Sequence, residues 1–336
     1  MRRARVLIYI SIVLFAATFA LAACSPMERN VNGFSMGSSF YVNYVSDPDL
    51  STEVRLILDD VEAAYSATYG SSVVRAINDA RAGGSVALSE RTADAITRAF
   101  LLCEATGGAF DPTVYPLVKA WGFDPPYLYN EEVPPTAAEI AEAMTHCGAD
   151  LYTLDAEALT IKKSDDSARL DLGGAMKGYA AERLRDALRA AEVTSALSYV
   201  GGTIAAVNED YRIGVTPPRD SKEDYAFSFL LEDGEICATS GDYERYYVYD
   251  GVRYHHILNP ETGRPATSDV ISATVLSRDG MMADAFATAA VVLGSEKALA
   301  LFEKYNVRAA LVTQDLRVIA YNVDVRIKDG SYVLAE

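Results

Sequence analysis

The chain has 336 residues, half of them apolar, with 47 acidic against 30 basic side chains and a formal net charge of −17. So acidic a body, with no basic patch, excludes nucleic acid and an anionic lipid surface as partners held by charge. Four cysteines in a chain of this length exclude a disulfide-built fold, and the length suffices for one large core or two joined lobes.

Met1-Arg2-Arg3-Ala4-Arg5 precedes an apolar stretch that starts at Val6 and ends Leu21-Ala22-Ala23-Cys24. A basic head, an apolar body and small residues at the break read as a secretory signal peptide over residues 1–23, outside the fold proper. The Leu-Ala-Ala-Cys ending resembles a bacterial lipobox, which implies cleavage before Cys24 and lipid attachment to it. An uncleaved anchor is the alternative, because the stretch could almost span a bilayer. Either way the body is expected outside the cytoplasm, tethered to the bacterial cell membrane. Loss of the signal removes three Arg and no acid, leaving 313 residues with a formal charge of −20. Cys103, Cys147 and Cys237 then remain, an odd number that allows at most one bridge. Their apolar or helical settings predict core thiols.

Residues 24–33 are expected as the lipidated Cys and a polar tether, and residues 34–336 as the folded body. A strand at 39–46 is followed by helices near 52–66 and 89–106. Another helix is expected at 137–147, with the capping box Thr136-x-x-Glu139 at its start and Gly148 as its stop. A hairpin at 151–162 leads to the pair Gly173-Gly174 and a clearly amphipathic helix. From Ser195 on, strand patterns dominate, at 195–207, 211–215, 225–231, 246–257 and 270–276, with a closing hairpin near 307–322. They are interrupted by a helix around Asp284 and its successor. The class is α+β with largely antiparallel sheets, and the Pro- and Tyr-rich segment 122–135 is a loop.

Three clusters carry chemistry. In the helix at 281–294 the one ionisable side chain is Asp284, and Thr288 lies one turn on, so two hard oxygen ligands share a face. A small divalent cation would suit them. A carboxylate that caps a nearby backbone or pairs with a basic residue is the competing explanation. Two of the three histidines, His255 and His256, are adjacent in a strand pattern, so at most one can face a given site. One core-packed and one solvated imidazole is the alternative. At Asp171-Leu172-Gly173-Gly174-Ala175-Met176-Lys177 an apolar strand end turns through glycines into a helix, which presents free N–H groups to an anion. A plain tight connection would look the same. Zinc-type Cys-x-x-Cys and His-x-x-x-His spacings are absent, as are the Walker A and Rossmann glycine patterns.

These clusters belong to an ordered set: Met36-Gly37-Ser38, the run from Phe110 to Phe123, Asp171 to Tyr179, Ala238-Thr239-Ser240-Gly241-Asp242-Tyr243-Glu244-Arg245, His255 to Gly263, and Ala283-Asp284-Ala285 with Thr288. The set resembles the ApbE family, the FAD:protein FMN transferases, over nearly the whole chain from about Met36 to the hairpin near Tyr321. The resemblance implies a two-lobed, T-fold-like α+β body and a magnesium-dependent enzyme. Such an enzyme cleaves FAD, releases AMP and attaches FMN through a phosphoester to a Thr or Ser. It also implies Mg2+ held by Asp284, Thr288 and the carbonyl of Gly174. Met36, Tyr69, Trp121, Gly122, Phe123, Asp171, Lys177 and Ile257 correspond to FAD-contacting positions. His256 corresponds to the base for the acceptor hydroxyl, with Lys177 stabilising the departing AMP. The implied acceptor is an extracytoplasmic protein bearing an Asp-x-x-Ser/Thr-Gly-Ala-Ser/Thr type motif.

Tyr115 departs from the family's usual Gly, and Thr203 stands where Asn or Asp is frequent. Trp121, the one Trp, reads either as a wall for a flavin or adenine ring or as core filling. An FAD pyrophosphatase with water as acceptor and a non-catalytic FAD-binding lipoprotein are the competing functions. The set Asp284, Thr288 and His256 argues against storage alone.

Overall fold

The computed structural model describes residues 26–124 and 133–335; the signal segment, Cys24 and the middle of the loop expected at 122–135 lie outside them. The described helices are α1 (Ser51–Tyr65), α2 (Val73–Asp79), α3 (Glu90–Ala105), α4 (Tyr115–Ala120), α5 (Ala137–Thr145), α6 (Gly173–Ala190), α7 (Gly280–Leu293) and α8 (Ser295–Tyr305). Their starts follow from short polar caps: Ser72 accepts from Arg75 N, Ser89 from Thr92 N and Asp279 from Met282 N. At α5 both halves of the expected capping box form, Thr136 with Glu139.

Nine strands make one sheet, in the order 27–35, 38–46, 195–200, 203–207, 236–241, 270–277, 308–313, 317–321 and 333–334. All neighbours are antiparallel except the last pair. The sheet is covered on both faces, and alternation within single strands shows it. Along 308–313, Ala309 and Leu311 enter the core beneath α6 and α7, while Ala310 and Val312 enter a second core. That second core lies under a three-stranded sheet of residues 211–215, 227–231 and 325–327. Central strands buried on both sides therefore read as continuous apolar runs. A third, smaller core gathers Leu117, Trp121, Phe123, Ile140, Ala143, Tyr247 and Leu258 beneath the hairpins 246–255 and 258–265.

One boundary needs correction. From Met27 the segment expected as tether is a strand, joined to its neighbour by the two-residue turn Met36-Gly37, with both residues at positive φ (50° and 70°). Val31 and Ser35 are buried on its inner face, which anchors an otherwise largely exposed edge strand to the sheet. The three described cysteines are free; Cys103 and Cys237 are buried, as expected of core thiols, while Cys147 is half-buried, and burial pushes each thiol's pKa up to about 12. Among the described residues no helix is long and apolar enough to cross a membrane.

Candidate active site

Helices α6 and α7 cross where both lack side chains. A Cβ on Gly178 would overlap the carbonyl oxygen of Gly280, and one on Gly280 would overlap that of Gly178. This close approach sets Asp284 of α7 against the second turn of α6. The carboxylate is buried, 2% exposed, and its Oδ2 accepts from Gly178 N at 3.0 Å, with Lys177 Nζ 3.6 Å away. Both compensations that the sequence allowed in place of a cation are thus present, a backbone donor and a basic side chain. Burial of Asp284 by itself therefore requires no metal.

The neighbouring hydroxyls are more informative. Thr288, one turn along α7, has its Oγ1 3.2 Å from Ser240 Oγ on the strand Ile236–Gly241. The same Oγ1 faces Gly174 at the start of α6, 3.4 Å from where a Cβ would stand. Lys177 is the hub of this corner: its Nζ donates to Gly173 O at 2.8 Å, and its stem packs beside Gly201, which also abuts Ser38 after the Met36-Gly37 turn. Asp171 braces the glycine turn, accepting from Gly173 N at 2.8 Å while its own N–H donates to Pro112 O.

The two histidines separate, although the strand Val252–His255 ends between them and His256 lies in the bend that follows. His255 is 6% exposed; its Nε2 donates to Ala266 O at 2.9 Å, and its buried Nδ1 has no hydrogen-bond partner. His256 is half-buried, edge-on to Phe123 at 6.4 Å between ring centres. Its backbone N–H donates to Arg245 O at 3.0 Å, and its Nδ1 lies 3.1 Å from the same oxygen. A carbonyl only accepts, so Nδ1 carries the proton and Nε2 keeps its lone pair. Desolvation, then the charge of Arg245, with smaller contributions from His255 and Lys177, holds its pKa well below the ordinary imidazole range. His256 is therefore neutral at neutral pH, with a free basic nitrogen.

Of the remaining candidates, Phe123 and Ile257 flank His256, and both are buried. Gly122 takes a positive φ of 72° in the turn between Trp121 and Phe123. Trp121 is core filling: it is 1% exposed, donates Nε1 to Gly263 O at 2.7 Å and packs against Tyr254 with the rings tilted by 31°. Its ring offers no wall to a flavin. Tyr69 lies in the loop between α1 and α2, half-exposed, with local bonds to Ser66 and Ser72. Ser240, the Arg245 carbonyl and the Tyr115 phenol were given no role from sequence. Burial, then the carboxylates of Asp124 and Asp171, raise the Tyr115 pKa. Among the described residues no three His, Cys, Asp or Glu side chains gather as a metal cluster.

The ApbE family model matches residues 36–312. A Vibrio cholerae protein named FAD:protein FMN transferase is 31% identical over 317 residues, covering 90% of this chain and 93% of its own. A Treponema pallidum protein of the same name is 34% identical over 305 residues, covering 84% and 83%. The crystal structure of the ApbE protein from Thermotoga maritima superposes with a TM-score of 0.77 at 32% identity, over 90% of this chain and 97% of that one. Agreement of this extent in sequence and in fold places the chain in the ApbE family.

Proposed function

We propose that this chain transfers the FMN part of FAD to a Ser or Thr hydroxyl of an acceptor protein, in a magnesium-dependent reaction that forms a phosphoester and releases AMP. That it is a transferase acting with FAD on protein rests on family membership and the names of its relatives. The finer chemistry is supported by one observation above all: the tautomer of His256, fixed by Arg245 O, leaves Nε2 able to act as a base.

The acceptor hydroxyl bonds to the FMN phosphorus as the bond from that phosphorus to the bridging oxygen breaks, and AMP leaves with the bridging oxygen. The hydroxyl proton passes to His256 Nε2, which matters because an alcohol is a poor nucleophile at neutral pH. Negative charge grows on the phosphoryl oxygens, and the Lys177 ammonium stabilises it. Asp284, Thr288 and the Gly174 carbonyl fit Mg2+. They are hard oxygen donors with a single carboxylate, a set that such an ion completes with water and substrate phosphates, unlike a transition-metal cluster. When bound, the ion neutralises pyrophosphate charge. Outside the cytoplasm, a lipid on Cys24 would hold the enzyme near acceptors of the Asp-x-x-Ser/Thr-Gly-Ala-Ser/Thr type at the cell membrane.

The test is incubation of the chain with FAD, Mg2+ and an acceptor domain carrying that motif, followed by intact mass. A gain of one FMN less one water, lost when the acceptor hydroxyl is removed, supports the reading. FMN and AMP free in solution with an unchanged acceptor would make it a pyrophosphatase, and FAD returned intact would make it a binder.

A further inference from the structure

Several threonines in this protein's helices bond back to their own backbone, whereas Thr92 in the first turn of α3 pairs with its own cap residue Ser89. Thr97 in α3 donates to Ala93 O at 2.7 Å, and Thr106 at the end of that helix donates to Leu102 O at 2.9 Å. This is the usual resting state of a helical hydroxyl. Thr288 differs: the partner the structure gives it is Ser240 Oγ, across the helix–sheet interface at 3.2 Å. Ser240 is held in place by the ladder, paired with Ala273 of the strand Val270–Ser277, and the adjoining Thr239 hydroxyl is tied to Thr274 at 2.9 Å. Its position is therefore set by the sheet and not by α7.

We propose that Ser240 is a positioning residue, which accepts the Thr288 proton and so turns the lone pairs of Thr288 toward the first turn of α6. A hydroxyl can ligate a cation only through a lone pair, and its proton must then point elsewhere. Gly174 opposite supplies room, since a side chain there would press on Thr288 Oγ1 and the Phe110 ring. Ser240 thus acts on the Mg2+ affinity of the pyrophosphate corner and not on the acceptor base. This rests on the metal reading above.

The experiment measures Mn2+ binding by electron paramagnetic resonance on the chelator-treated full chain with FAD bound, together with FAD affinity in EDTA. Ser240→Ala is expected to weaken Mn2+ binding by about tenfold, the worth of one hydrogen bond. It should leave metal-free FAD affinity and the melting temperature unchanged, and its transfer rate should recover at high Mg2+. Ser240→Thr, which keeps the hydroxyl, should bind Mn2+ like the parent. Parental Mn2+ affinity in Ser240→Ala, or equal loss in Ser240→Thr, overturns the role. Asp284→Asn separates the two levels. If it weakens Mn2+ binding while Ser240→Ala does not alter it, only the Ser240 role fails; if neither variant alters it, the metal reading fails and this role with it.

Discussion

The amide of Gly178 meets the carboxylate of Asp284 at 3.0 Å because the backbones of two helices touch one turn away, at Gly178 and Gly280. A helix-interior glycine ordinarily costs about 1 kcal/mol relative to alanine, so here close approach outweighs propensity. The crossing converts a sequence feature, two unremarked glycines, into the placement of a buried charge beside a glycine turn.

Gly178→Ala should therefore destabilise the protein despite alanine's better helix propensity. Its Cβ would overlap Gly280 O and stand 2.9 Å from Asp284 Cβ, and both are parts of rigid helices. A loss of about 1–3 kcal/mol is the usual result of such overpacking. Thermal unfolding checks it, and a variant melting at or above the parent would mean the helices part without cost.

Asp284→Asn keeps the shape and one acceptor for Gly178 N but removes the charge that Lys177 faces. The fold should survive, while the Mg2+ concentration needed for half-maximal transfer should rise by roughly 10–100-fold, the scale seen when a metal's surroundings lose one partner. Metal titration of the transfer rate measures it. An unchanged requirement would make Asp284 a structural cap for Gly178 alone.

The sequence made the long elements legible and left the short ones hidden. Helices α1, α3 and α5 lie within one or two residues of expectation because apolar period and capping residues agree there. Helix α2, with seven residues, is too brief to show a period, and the strand Ile236–Gly241, reading Ile-Cys-Ala-Thr-Ser-Gly, alternates neither in size nor in polarity. Site residues with unusual chemistry for their setting, Asp284 and the His pair, stood out on the page. Ser240 and the Arg245 carbonyl did not, because their roles come from a helix packing on a strand and from a main-chain oxygen, which no local pattern encodes. Trp121 read in sequence equally as a ring platform or as core filling, and its burial and its bond to Gly263 O show it as core.

Cys24→Ser tests where the protein works. If the Leu-Ala-Ala-Cys ending is a lipidation signal, the variant should leave the membrane fraction while the purified body retains its transfer rate, since a lipid only raises local concentration. Fractionation of cells decides it, and a wild-type chain found wholly in the soluble fraction would remove the anchor.

His256 yields the most demanding prediction, because its neighbours fix both its proton and its acid–base range. With Nδ1–H held by Arg245 O and the pKa pushed well below 6.5, the base is already neutral at neutral pH. The transfer rate should then stay level as pH falls through 6.5 and decline only further into acid. His255→Ala should leave that profile in place, whereas His256→Ala should lower the rate by roughly two to four orders of magnitude with FAD affinity retained. Stability moves in the same direction. Burial lowers the pKa of His255 as well, so below about 6.5 the unfolded chain binds protons that the folded chain refuses, and stability falls with falling pH. Above 6.5 neither imidazole contributes a slope. His255→Ala should flatten part of that acid loss while lowering stability at neutral pH, because it deletes the bond to Ala266 O and a buried ring. Rate and unfolding measured across the same pH series on the three proteins give the answer: a parental rate that breaks near 6.5 would place His256 in open solvent, and loss of FAD binding in His256→Ala would make it a flavin contact and not the base.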